Sequence, residues 1–514
     1  MRLTRRFVLL AVLILAMAVA GGPGPAGGAP AIVELRVRAL SEFGTMDPAQ
    51  VGSATDDQVL VNIYSQLVRM RTGTSELVPE LAERWTVSPD GKVYTFHVRR
   101  GVKWHKGFGE LTSDDVKFTL ERHLDPSVRS RRRALFANVE AVNTPNEYTI
   151  EIRLKQPSPG FMRTAIAEVA GYILSRKAVT QLGREHALNP IGTGPYVWDR
   201  YRKGSELVLV ANEEYFNKPA RIKRVVWLPI PEDVVAYTAL QAGNIDLMYF
   251  RSGEVFRQAR ANPRVVVMTA SAQSVRGIYF NTRRAPLTDR RVRQAIAHMI
   301  NKEYIVKYAL HGTGQVADSV ISPQTWGYTS NVRKYPPDLE KAKQLLREAG
   351  HEQGFKINLV YPFQDPYQTW APVIQDQLRR VNITVELVGL EFVSAIQRAS
   401  RGDYDMFTLG LTRPPDPDVY FSTGWYGPSA PPGQAFTFYD GADRMIDQAR
   451  SEVDDRRRRA LVEQVQRRIA EDVPGLPIYY AFSMVAMHPK VKGHLVGILN
   501  DLWLHSMSID ERAR

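Results

Sequence analysis

Asp365 and Arg413 carry opposite charges on two short loops, Tyr361-Pro362-Phe363-Gln364-Asp365 and Thr412-Arg413-Pro414-Pro415-Asp416, and each loop follows an apolar run that reads as a strand. A guanidinium presents a planar fork of donors that fits a carboxylate, and a carboxylate accepts from an ammonium. Two such groups can hold the charged ends of a small solute or neutralise one another, and neither use breaks a bond. Patterns for bond-breaking chemistry are missing. The chain contains no H-E-x-x-H, no G-x-S-x-G, no Walker A loop and no complete G-x-G-x-x-G. Gly192-Thr193-Gly194-Pro195 is a lone G-x-G whose proline removes a phosphate-facing amide, so it reads as a tight turn. The 10 histidines are scattered, with none paired at i, i+4, and His105 beside Trp104 reads as a loop or core-rim residue. There is no cysteine, hence no thiol nucleophile, disulfide, Cys-ligated zinc or iron–sulfur cluster. No catalytic residue, metal or cofactor is expected.

The elements that must carry the two loops are legible. Lys356 to Val360, Ile383 to Val388 and Asp405 to Leu411 read as strands, separated by a helical face (Trp370, Val373, Ile374, Leu378, Val381) and a helix from Glu391 to Arg401. That βαβαβ order predicts a parallel sheet whose ligands bind beyond the carboxyl ends of its strands, at Tyr361 and Leu411 and the loops that follow. Before it, Val292, Ala295, Ile296, Met299 and Ile300 recur at helical spacing behind Thr288 as N-cap, and Leu339, Ala342, Leu345, Leu346 and Ala349 do so up to Gly350. Residues 31–280 instead alternate short strands with turns. Tyr94, Phe96 and Val98 alternate with polar residues after Asp90-Gly91, and Thr112 and Asp115 have capping-box spacing. The arginine runs 129–133 and 456–459 read as solvated helix faces.

With 514 residues, 44% apolar and 24% charged, the chain is globular and long enough for about three domains or two large lobes. Arg2, Arg5 and Arg6, the apolar stretch Phe7 to Ala20 and Ala18-Val19-Ala20 before Gly21 form a secretory signal peptide over 1–20, and Gly/Pro-rich residues 21–33 a flexible leader. Thr4-Arg5-Arg6 leaves general and twin-arginine export both open. The formal charge of +13 falls by three when the signal peptide is removed, so the mature chain stays basic. A basic chain suits nucleic acid, an anionic membrane surface or an anionic solute, and export makes nucleic acid the least fitting. The expected location is periplasmic, without a lipid anchor because no cysteine is present.

A string of blocks resembles one family, the extracytoplasmic solute-binding proteins of peptide and nickel type that feed ABC importers. In order these are Thr45-Met46-Asp47-Pro48, LVPELAERWTVSPDGKVYTFHVRRGVKWHKG, LTSDDVKFTLER, NPIGTGPYVWDRYRKGSELVLVANEEYF, ALQAGNIDLM, YFNTRRAPLTDRRVRQAIAHMINKEYIV, DLEKAKQLLREAGH and LPIYYAF. They run from about residue 34 to 500. His105-Lys106-Gly107 stands where many members have His-Asp-Gly. The resemblance implies an α/β fold of the two-lobed periplasmic-binding-protein type (class II), with an enlarged α+β N-terminal lobe over 34–278, a βαβαβ lobe over 279–482, a segment 483–514 returning to the first lobe, and crossovers near Tyr279 and Tyr480. It further implies a monomer that closes on a small peptide or peptide-like solute and hands it to membrane permease subunits without chemistry. An exported hydrolase with an unobvious site and a sensory or interaction protein on the same fold are the alternatives.

The resemblance also suggests site residues. Dipeptide binders hold the ligand's ammonium with an acid shortly before the Asp-Pro that is here Asp416-Pro417, and its carboxylate with an arginine near the end of the earlier strand. The ungapped positions here are Arg413 and Asp365, so the signs are exchanged. Arg413 and Asp365 pair with each other, or a zwitterion lies reversed between them, or Arg413 alone anchors an anion. A slip of one or two residues would instead make Asp416 or Asp418 the amine anchor. Gly52-Ser53-Ala54 lies where relatives offer backbone groups, or is a turn. Trp326, Trp425, Tyr426 and Tyr480 line an apolar cleft or pack in the core. The 410–430 loop holds no histidine for a metal chelate.

Overall fold

The computed structural model describes residues 33–412, 416–494, 496–497, 502–510 and 512. The helical patterns around 292 and 339 become the helices Arg290–Met299 and Leu339–Glu348. The first is capped by Asp289, whose side chain accepts from the Arg291 N–H, and not by Thr288 as the spacing suggested. An aspartate one residue nearer the helix supplies the acceptor and favours the positive helix end. Strands Phe355–Pro362, Ile383–Leu390 and Met406–Thr412 alternate with helices Tyr367–Arg379 and Phe392–Ser400, and the first strand pairs in parallel with both others. This is the expected βαβαβ unit.

These strands form one end of an eleven-stranded sheet. From that edge the order runs Ile383–Leu390, Phe355–Pro362, Met406–Thr412, Val266–Phe280, Gly475–Met487, Leu247–Tyr249, Glu34–Ala39, Arg224–Pro229, Glu206–Ala211, Tyr196–Arg202. Gly314–Val316 pairs on Gly475–Met487 beside this path. Two strands, Val266–Phe280 and Gly475–Met487, are long enough to serve both halves. Val266–Ser271 pairs with Phe482–Met487 in the first lobe, and Val275–Tyr279 with Gly475–Tyr480 in the second. Between them the register breaks, with 272–274 facing only Ala481. A local interruption of the ladder is where a sheet bends. It lies a few residues before the crossover expected near Tyr279 and next to that expected near Tyr480.

Each lobe has its own core. In the second, helices Arg290–Met299, Leu339–Glu348 and Tyr367–Arg379 pack on one sheet face around Trp370, Leu359 and Ile296, and Phe392–Ser400 and Asp455–Asp472 on the other around Phe407, Tyr404 and Val465. The first lobe adds a four-stranded antiparallel sheet in which Tyr94, Phe96 and Val98 point inward, as their alternation predicted. Its packing helix Ser113–Leu124 starts with the expected capping box of Thr112 and Asp115, in which the Thr112 N–H donates to Asp115 Oδ2 at 3.1 Å. Gly192 and Gly194 fit only as glycine, because a Cβ would lie 1.9 Å from Ile63 O and 2.6 Å from Asn62 O. Val491, Leu502, Leu504 and Met507 return to the first lobe's core. Among the described residues no helix is long and apolar enough to cross a membrane; the signal peptide expected over 1–20 and the leader up to residue 32 lie outside them.

Candidate functional site

A cleft of about 940 Å³ opens where the two long strands lose register. It is lined from the first lobe by Ala54, Gln58, Glu232 and Arg251 and from the second by Asp365, Thr369, Phe392 and Thr412. That is ample for a small solute, since such sites measure about 300–1,000 Å³. The back wall is made by the strands themselves. Ala272, Ser274 and Arg276 alternate onto the cleft from one, Tyr479, Ala481 and Ser483 from the other.

The first-lobe wall contains a closed ion pair. Arg38, fully buried, donates to Asp233 Oδ1 at 2.7 Å and to the carbonyls of Ile230, Pro231 and Tyr249, while Asp233 Oδ2 accepts from the N–H groups of Arg251 and Ser252. Burial pulls the Arg38 guanidinium below its ordinary value, and Asp233 opposes that pull. The second-lobe wall is different. Arg276 is half-buried in a strand whose neighbours Val275, Gly277, Ile278 and Phe280 are buried. It sits opposite Gly410, whose missing side chain makes room: a Cβ there would lie 3.0 Å from Arg276 Cγ and 3.1 Å from Nη1. Nη1 donates to the Tyr367 hydroxyl at 2.7 Å, and that oxygen also accepts from the Gly410 N–H at 2.9 Å. Among the described residues Arg276 has no carboxylate partner. Tyr479 faces it across the strand pair. Burial pushes the Tyr479 phenol well up, so it keeps its proton.

Of the residues singled out from the sequence, Asp365 and Ala54 line the cleft. Asp365 is exposed and accepts from Thr369 Oγ1 at 2.7 Å and Gln368 Nε2 at 3.1 Å, at the start of its helix. Arg413 lies outside the described residues; Leu411 is described only through its backbone pairing with Val275. The others lie elsewhere. Gly52 is exposed beside Arg131, off the cleft lining. Tyr361 is buried in the second lobe's core. Trp425 packs at 5.6 Å from Tyr279, a core position. Tyr480 is fully buried, its hydroxyl accepting from Ser319 N at 2.8 Å. Adjacent strand residues face opposite sides, so Tyr479 takes the cleft and Tyr480 the core.

Asp416 is the N-cap of helix Pro417–Gly424 and pairs at 2.8 Å with Arg458, the two side chains 0% and 2% exposed. It therefore serves structure, and Arg458 is not part of a solvated face. Asp418, the other slipped anchor, pairs with Arg450 at 2.8 Å. Trp326 lies under Arg458 and Arg459, and the Tyr426 hydroxyl donates to Asp447. His105 is buried, bridging Gly192 and Gly194 through Gly192 N–H to Nδ1 and Nε2 to Gly194 O, and burial lowers it to about 4. Sequence reading missed Arg276, Tyr367 and Tyr479. The available signal was an arginine inside the apolar strand run Val275-Arg276-Gly277-Ile278-Tyr279-Phe280.

Two lobes joined by two long strands, with a cleft of solute size between them, have the architecture of a solute-binding protein. The profile of bacterial extracellular solute-binding proteins, family 5 (Middle), matches residues 76–432, and the chain belongs to that family. It is a solute-binding component of an ABC importer, and the family is one of binding proteins. The chain is 31% identical over 485 residues to the dipeptide-binding protein of Escherichia coli K12, covering 89% of this chain and 90% of that one. It superposes on HbpA2 from Haemophilus parasuis with a TM-score of 0.85 at 25% identity, covering 93% and 100%. The periplasmic binding protein DppA from Helicobacter pylori, solved with the peptide STSA, matches with a TM-score of 0.78 at 30% identity, covering 93% and 98%.

Proposed function

We propose that the protein captures a small peptide or peptide-like solute between its lobes, outside the cytoplasm, and delivers it as a monomer to the permease subunits of its importer. The observation that carries this reading is the 940 Å³ cleft lined by both lobes and backed by the two strands that join them. A solute touching both walls favours the closed form by its differential affinity for it, and that difference is what a transporter can sense. The lobes would divide at 272–274 and at 481, where pairing is interrupted. The Escherichia coli relative is a dipeptide-binding protein and the Helicobacter pylori one was solved with a peptide, and their similarity over nearly the whole chain supports the same class of cargo here.

The test is a thermal-shift screen of the exported protein against libraries of di- to tetrapeptides. Binding raises the melting temperature as RT ln(1 + [L]/Kd), and mass spectrometry of ligand released on denaturation should return an intact peptide. A cleaved product, or a library that leaves the melting temperature unchanged, would count against this function.

A further inference from the structure

The charge balance of the cleft points to one more feature. In the first-lobe wall Arg38 and Asp233 satisfy each other and Glu254 is held by Arg257, while Glu232 and Arg251 line it without an ion pair among the described residues. In the second-lobe wall Asp365 is turned to Thr369 and Gln368 and forms no ion pair with Arg276. Arg276 thus keeps a full charge, since guanidinium does not lose its proton in proteins, yet meets only a neutral hydroxyl. Around it the unused groups are donors. Tyr367 has both lone pairs engaged, by Arg276 Nη1 and Gly410 N–H, which leaves its own proton to give. Tyr479 is protonated and lines the cleft. Ser274, two residues before Arg276 on the same strand face, is 3% exposed and its Oγ has no hydrogen-bond partner. A fixed cation beside O–H donors, with no ion-pair partner among the described residues, is a receptor for an anion. The planar fork matches a carboxylate.

Resting on the peptide reading above, we propose that Arg276, with Tyr367, Tyr479 and Ser274 about it, is the seat of the cargo's carboxylate, so that the cleft selects peptide-like acids over their neutral counterparts. The anchor then lies on the strands that join the lobes and not on the loops at 365 and 413. Its own lobe positions it through Gly410, whose lack of a side chain leaves room for Arg276 with its guanidinium carbon 5.5 Å from the Tyr367 ring centroid.

The experiment compares the full exported protein with two peptide libraries, identical except that one has free and the other amidated C-termini, by thermal shift and then by calorimetry on the tightest pair. Removing one partner from a buried charged pair weakens binding by about 30-fold or more, so amidation should do so for the wild type. Arg276→Gln should bring the free acid down to the affinity of its amide, and Tyr367→Phe, which keeps the ring against Arg276, should weaken the free acid by about 10-fold. The wild-type comparison of acid with amide stands even if Arg276→Gln does not fold. Equal binding of acid and amide, or an undiminished preference for the acid in Arg276→Gln, overturns this anchor while leaving the peptide function intact. Binding of neither library overturns both.

Discussion

The two walls of the cleft are built on opposite electrostatic plans. On the first lobe the buried Arg38 and Asp233 are fixed to each other and to nearby carbonyls and N–H groups, so this pair needs no cargo. On the second, Arg276 stands against a tyrosine hydroxyl and open space. A buried charge whose partner is fixed in the fold is a structural device, and breaking it strands the survivor. A charge without a partner in the fold contributes nothing comparable to stability and is available to a ligand. The lesson extends to Asp416 beyond the last parallel strand, which is buried with Arg458 as its partner in the fold.

This contrast can be broken most sharply by mutating each wall. Asp233→Asn should destabilise the protein by about 3–5 kcal/mol in a denaturant titration, because Arg38 remains charged and buried. Arg276→Gln should leave the ligand-free midpoint nearly unchanged, and a comparable loss there would mean that Arg276 is structural after all.

A second asymmetry concerns protons. His105, His123, His186 and His494, all in the first lobe's core or against it, are each held by burial at about 4. They are neutral in the fold, and the unfolded chain takes up their protons below about pH 6.5. Stability therefore falls as pH drops from 6.5 towards 4 and levels off below, by up to about 3 kcal/mol for each histidine. Glu80, pushed up to about 7, and Asp57, to about 6, act oppositely, since the folded chain then binds their protons more readily, and they offset part of the loss. Melting temperature against pH reads the net result, and a flat profile from pH 7 to 4.5 would contradict it.

Smaller effects test strand parity. Tyr480→Phe removes the hydroxyl that bonds Ser319 N and O and should cost about 1–2 kcal/mol of stability without changing ligand affinity. Tyr479→Phe should do the reverse. Asp365→Asn, at an exposed helix start, should move stability by less than about 0.5 kcal/mol.

Periodicity exposed most of the fold. The βαβαβ lobe, the hairpin around Asp90-Gly91 and the amphipathic helices follow from local spacing of apolar residues, which burial enforces. The site was less legible, because parity along a strand decides which of two adjacent tyrosines meets solvent, and parity depends on a register that pairing partners set. Tyr480 and Trp425, open between cleft and core in the sequence, are core, and Tyr479, which no local pattern singles out, lines the cleft. Asp416 looked like an amine anchor because Arg458, 42 residues later, is invisible as its partner until the helices pack. Arg276 was overlooked for a similar reason: its vacancy is created by Gly410, on a strand that meets it only in the folded sheet.

The central claim is that two lobes shut on an intact cargo. Small-angle scattering of the purified protein, before and after addition of the peptide that most raises its melting temperature, tests it most directly. The account predicts a smaller radius of gyration in the bound state; an unchanged radius with the ligand demonstrably bound would contradict it.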